Sequence, residues 1–137
     1  MNHYVKTRKI YNKRKLVEGC PFCGRALLED GIIESKYSYV VPNLTKYDLW
    51  ELYEVTDHLL LVPKRHVIHL NELDDKEKLE FINTLSKYEA DGYSIYSRSS
   101  GSNTRSVDHL HTHLIKTSNK QLRLILFTTK PYFLLGF

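Results

Sequence analysis

The sequence predicts an α+β domain in which one long helix packs on an antiparallel sheet, and three observations carry that reading. Leu79, Ile82, Leu85 and Tyr88, with Phe81 beside them, recur at helical spacing. Leu59 to Val62 is a continuous apolar run closed by Pro63, the pattern of a strand buried on both faces. Tyr93, Ile95 and Ser97 alternate with Ser94, Tyr96 and Arg98, the period of a short strand. Nothing repeats internally and no Gly/Ser- or Pro-rich linker divides the 137 residues, so one domain over 18–137 is expected behind an N-terminal arm over 1–17.

The remaining elements follow in chain order. Ile32 to Glu34 and Tyr37 to Val41 read as strands, the second ended by Pro42 and Asn43. A loop with Thr45, Lys46 and Asp48 follows, in which Leu49 and Trp50 are placed to pack inward. The helix begins near Asp74, because Asp74 and Glu77 have the form of a capping box with Asp in place of Ser or Thr, and Asp91-Gly92 ends it. The polar loop Ser99 to Arg105 leads into a strand over His109 to Ile115, and Leu122 to Phe127 is the last expected strand.

A composition of 42% hydrophobic and 26% charged residues excludes disorder, collagen and coiled coil. The apolar stretch around Leu59 to Val62 falls far short of the roughly 20 residues of a membrane-spanning helix. No n-region, apolar h-region and cleavage site follow one another, and the expected location is cytoplasmic. The formal charge of +4 is local: Lys6, Arg8, Lys9, Lys13, Arg14 and Lys15 lie within 1–17 with no acidic residue, and without them sixteen acidic residues face fourteen basic ones. Such an arm suits an anionic partner, a nucleic acid or a polyphosphate, and the plain alternative is a solvated end.

Cys20 and Cys23 are the whole thiol supply and share one C-P-F-C, which excludes a disulfide scaffold. A redox dithiol normally follows a core strand and opens a helix, whereas a basic arm precedes this one. Half of a tetrahedral zinc site is the better reading, its other half coming from elsewhere in the chain. Three of the seven histidines form His109-Leu110-His111-Thr112-His113. On a strand their imidazoles share one face, with backbones spaced by roughly 6.5 to 7 Å, so the outer two stand about 13 Å apart. A single ion with nitrogen-to-zinc distances near ~2.0 Å cannot take all three, and a three-histidine metal centre from this strand alone is not expected.

The segment H-L-H-T-H-L-I resembles the HφHφHφφ signature of the histidine triad (HIT) nucleotide hydrolases and transferases. Cys20 and Cys23 match the C-x-x-C near the start of many bacterial members, and His58-Leu-Leu-Leu-Val-Pro-Lys-Arg-His66 resembles their H-x-L-V-x-P-K-x-H segment. The helix and the strand into the triad come in the family's order. The resemblance implies a HIT-like fold with a five-stranded antiparallel sheet, often dimeric, whose members attack the α-phosphate of nucleotides. Carried over by position, His111 would be the nucleophile, with His113 and His58 completing the site. The zinc-bearing members imply Cys20, Cys23, His66 and His109 as ligands of a structural zinc. His69 and His3 match nothing in this pattern and are expected at the surface.

The chain departs from the family in places. Thr104-Arg105-Ser106-Val107 stands where many members have G-Q-S/T-V before the triad, and Lys116-Thr117 where many have Pro-Arg after it. Thr112 is less apolar than its φ position prefers. Ser106 survives as a candidate phosphate contact, Arg105 either supplies a charge in place of the glutamine amide or faces solvent, and Asn103 in the same loop joins them as a substrate-binding candidate. His113, where the uridylyltransferase branch has Gln, resembles the hydrolase branches. The implied reaction is attack by His111 on phosphorus to form a nucleotidyl-histidine, on a dinucleoside polyphosphate, a nucleoside phosphoramidate or an adenylylated end. A neutral imidazole is nucleophilic at pH 7 without a separate strong base. The alternative is a zinc-stabilised nucleic-acid-binding module, with phosphates on the basic arm and bases on Tyr37, Tyr39, Tyr93 and Tyr96.

Overall fold

The computed structural model describes residues 19–23, 32–126 and 133–135, so the basic arm 1–17 and His3 lie outside the described residues. The strands are β1 (Ile33–Glu34), β2 (Ser38–Pro42), β3 (Leu49–Trp50), β4 (Tyr53–Pro63), β5 (Ser94–Tyr96), β6 (Thr112–Gln121), β7 (Leu124–Leu126) and β8 (Phe133–Leu135). A 3-10 turn, Leu70–Glu72, precedes the helix α1, Asp75–Ala90. The sheet runs β1-β2-β4-β6-β5 with every pairing antiparallel, and β3 adds a two-residue partner to β4, which makes six strands where five were expected. The last expected strand does not join this sheet: β7 pairs with β8 in a separate hairpin.

Burial splits the two faces of β4 and β6 between two tasks. Leu61 and Leu114 point with Val40 toward Phe81, and Leu59, Leu85, Tyr88 and Tyr93 pack around them. Successive strand residues alternate sides, so the opposite face carries His58, Leu60 and Val62 of β4 across from Ile115, His113 and, on β2, Val41 and Tyr39. Two register irregularities between Tyr53 and Asp57 shift the phase of β4. That shift brings Val55 onto the same side as His58, where it packs with Ile115 and Tyr47. The helix thus packs on one face of the sheet, and His58 and His113 lie on the other.

Three elements differ from the expectation for physical reasons. The buried helix stripe runs through Glu77, Phe81, Leu85 and Tyr88, while Leu79 and Ile82 are exposed. A buried carboxylate leads that stripe because Arg65 neutralises it, with nitrogen-oxygen distances of 3.0 and 2.6 Å. Asp74 and Glu77 form the expected reciprocal cap, each accepting from the other's backbone N–H at 2.8 Å. The strand expected from His109 begins only at Thr112, so His109 and His111 sit on the segment that enters β6. Finally β3 and β4 are joined by a two-residue turn at Glu51 (φ 50°) and Leu52 (φ 69°). Both residues occupy the left-handed region that hairpin turns require but that side chains disfavour by about 1–3 kcal/mol each. Without Gly, Asn or Asp at the turn, its sequence carries no hairpin signal.

Candidate functional site

Two polar clusters meet around the triad segment. In the first, the Cys23 Sγ lies 3.1 Å from the His66 Nδ1 and 3.5 Å from the His109 Nδ1, and the Cys20 Sγ lies 3.4 Å from the same His109 nitrogen. All four donor atoms fall within 4.8 Å of one another. A tetrahedron built on zinc–sulfur bonds near 2.3 Å and zinc–nitrogen bonds near 2.0 Å has edges of about 3.3 to 3.8 Å, so these spacings fit a metal ion. The tautomer fits as well. His109 is fully buried and its Nε2–H donates to the Pro63 carbonyl at 2.9 Å, which leaves the Nδ1 lone pair facing the thiols. Burial pushes its pKa down, which favours the neutral ligand form.

The elements hold this cluster from three directions. Lys64 and Arg65 anchor the segment after β4 to Glu34 and Glu77, and Arg65 also donates to the Glu72 carbonyl at 2.6 Å, which places His66. The Leu110 N–H donates to the Val67 carbonyl at 2.6 Å, tying the triad entry to the same segment. Phe22, between the two cysteines, packs its ring against both His109 and His111, with centroids 5.9 and 5.2 Å apart.

The second cluster is a chain of hydrogen bonds on the sheet face opposite α1. Asn43 accepts from the Thr45 N–H at 3.1 Å, turning the backbone after β2 so that the Tyr47 N–H donates to the His58 Nδ1 at 2.9 Å. That donation places the His58 proton on Nε2, which faces the His113 Nδ1 at 2.8 Å. His113 therefore carries its proton on Nε2. His111 has the opposite arrangement to His109: its Nδ1–H donates to the His109 carbonyl at 2.8 Å, leaving the Nε2 lone pair unengaged by that bond. Burial, first of all, lowers the pKa of His111, and burial followed by the neighbouring His58, His111 and Arg98 pushes that of His113 down to about 2. Both are neutral at pH 7.

Around the chain stand aromatic rings that the sequence alone did not single out for this site. Tyr47 stacks on His113 at 5.4 Å and on Trp50 at 6.0 Å, and Tyr96 lies 4.8 Å from Trp50. The four tyrosines proposed as a stacking surface do not share a face: Tyr93 packs against Tyr88 on the helix side, whereas Tyr39 joins Val41 and Leu60 on the other. Arg105 spends its donors on backbone carbonyls, Nε on Val107 at 3.1 Å and Nη2 on Ile68 at 3.0 Å. Ser106 and Asn103 are exposed on the loop before the triad, and His69 is exposed at the 3-10 turn. The residue missed is Arg98, whose Nη1 lies 3.2 Å from the His113 Nε2. Only its period-2 position beside Tyr96 signalled its face.

Residues 54–120, which hold all the site histidines, match the family model of the HIT domain. A bis(5'-adenosyl)-triphosphatase of Saccharomyces cerevisiae is 31% identical over 96 residues, covering 64% of this chain and 43% of that protein, so the chain spans less than half of the relative's length. A HIT family hydrolase from Clostridium thermocellum superposes with a TM-score of 0.57 at 19% identity, covering 80% of this chain and 99% of that one. One from Legionella pneumophila gives 0.52 at 22% identity, covering 75% and 95%. The fold is that of the HIT proteins.

Proposed function

We propose that this HIT-fold chain is a nucleotide hydrolase or transferase acting at the α-phosphate through a covalent intermediate on His111. The observation that carries the reading is the tautomer of His111: a buried, neutral imidazole whose Nδ1–H is held by the His109 carbonyl keeps a nucleophilic lone pair on Nε2. In the proposed reaction His111 Nε2 bonds to phosphorus as the bond to the leaving oxygen breaks. A phosphate leaving group departs as its anion and needs no proton. The His113 Nε2–H donates to a phosphoryl oxygen, and the Tyr47–His58 chain keeps that proton in place. Water then attacks phosphorus, the N–P bond returns its electrons to the imidazole, and the proton of the water passes to solvent.

Cys20, Cys23, His66 and His109 are the proposed ligands of a zinc ion. With all four positions filled by protein, the ion would cross-link the C-x-x-C, the end of β4 and the entry to β6, and supply no chemistry to the substrate. The yeast relative's name makes diadenosine triphosphate the first substrate to try. Quenched without acid during turnover, the wild type should gain the mass of one nucleoside monophosphate on the peptide bearing His111. His111→Asn should keep fold, metal and nucleotide binding, lose the adduct and lose at least about 1000-fold in turnover. Full turnover in that variant, or an adduct on Ser106 or Lys116, refutes the mechanism.

A further inference from the structure

We propose that Arg98 is the phosphate-binding cation of this site and that it biases the site toward polyphosphate substrates over phosphoramidates. The inference rests on the reading of His111 and His113 above. The polarity of the hydrogen-bond chain points to it. A backbone N–H cannot reverse, so Tyr47 fixes His58 as an acceptor at Nδ1 and places a proton on the His113 Nε2. The Arg98 Nη1, which is always a donor, then faces that N–H at 3.2 Å. Two donors point at one place, and neither accepts from the other. An anionic oxygen seated beside the pair, within hydrogen-bond distance of each, satisfies both.

The rest of the Arg98 environment holds the guanidinium without neutralising it. Its Nε donates to the Thr104 hydroxyl at 3.0 Å, and its Cζ lies 5.1 Å from the ring centroid of Tyr96 and 5.7 Å from that of Tyr47. Hydroxyl and ring faces orient a guanidinium at little cost in charge. Among the described residues, no carboxylate comes within ion-pair distance of it. Arg105, the cation that the sequence offered for this role, is instead turned onto two backbone carbonyls. With Nε and Nη1 committed, Nη2 remains to reach a second oxygen, the fork geometry that suits a chain of phosphates.

Charge sets the direction of the selectivity. A diadenosine polyphosphate carries a negative charge on each phosphate, whereas a nucleoside phosphoramidate carries a single one and must protonate its departing amine. The site as built offers a fixed cation and a neutral histidine pair, which serves the first substrate and not the second.

The test compares wild type with Arg98→Ala and Arg98→Lys on diadenosine triphosphate and adenosine 5'-phosphoramidate. Melting curves and the metal content of each protein establish folding. For Arg98→Ala, kcat/KM on the triphosphate should fall about 30- to 100-fold, the range of a charge-assisted hydrogen bond or two, with less than about a fivefold loss on the phosphoramidate. Arg98→Lys should recover only part, because an ammonium lacks the fork. Equal losses on both substrates, or a triphosphate rate within twofold of wild type, overturn the proposal. Binding of ADP against adenosine separates this inference from the reaction it rests on. If wild type turns over neither substrate, the hydrolase reading fails. Arg98 is then judged by whether the preference for ADP disappears in Arg98→Ala, as proposed, or persists, which refutes it.

Discussion

His109 and His111 are two residues apart on one segment, yet the surrounding backbone gives them opposite tautomers. The Pro63 carbonyl takes the Nε2–H of His109 and turns its Nδ1 toward the thiols. The His109 carbonyl takes the Nδ1–H of His111 and leaves its Nε2 lone pair unengaged by that bond. In the first cluster four donor atoms converge within 4.8 Å of one another, whereas in the histidine chain each ring passes its proton's position to the next. The difference teaches that residue type does not assign the role. A carbonyl on one side of the ring or the other does.

The largest effect should come from the metal cluster. Zinc binding in peptide sites amounts to roughly 10–16 kcal/mol, and here the ion would join three segments that are distant in sequence. One zinc per chain is expected by elemental analysis of protein purified without chelator. Cys20→Ser or His66→Ala should lose it and melt more than about 10 °C lower, while His111→Asn keeps both metal and melting temperature. A metal-free wild type that melts with the Cys20→Ser variant would erase the contrast between the two clusters.

Much of this site was legible from spacing. C-P-F-C, the P-K-R-H end of β4 and H-L-H-T-H are local strings, and the structure brings Cys20, Cys23, His66 and His109 together as expected. The helix boundaries were legible too, because Asp74, Glu77 and Gly92 act through bonds to near neighbours. What was not legible depends on groups that carry no signature. Tyr47 works through a backbone N–H that every residue but proline possesses, and Arg98 through rings brought from β3's flank and β5. The helix face was misread because Glu77 looks like a solvent residue until Arg65, twelve positions earlier, is placed beside it. The strand start at Thr112 was misread because alternation describes an extended segment whether or not it has ladder partners.

The histidine chain should make its own mark on acid stability. His113 titrates near ~6.5 in the unfolded chain but is pushed down to about 2 in the folded one, so between these values the unfolded state binds a proton that the native state refuses. Stability from this group is therefore complete above about pH 6.5 and is lost progressively as pH falls below it. Between pH 6.5 and 5 the loss should be about 1.5 kcal/mol for one such proton. His113→Asn, which cannot titrate, should show a correspondingly shallower fall in urea stability over that interval. Parallel pH profiles would remove His113 from the neutral chain.

The smallest effect concerns the ring that touches both regions. Phe22 belongs to the metal loop by sequence, but its ring packs edge-on to His109 and tilted against His111. Aromatic contacts of this kind contribute about 0.5–1.5 kcal/mol each beyond area burial. Phe22→Leu keeps an apolar body and removes the ring geometry. It should keep the metal content of the wild type, melt only a few degrees lower, and lose about two- to tenfold in kcat with KM nearly unchanged, because the ring orients His111, the proposed nucleophile, rather than the substrate. Chelation offers the complementary measurement. If Phe22 transmits order from the metal loop to His111, mild chelation that leaves the protein folded should slow the wild type more than Phe22→Leu. Equal slowing in the two proteins would mean that the clusters are adjacent but independent, each held by its own carbonyl.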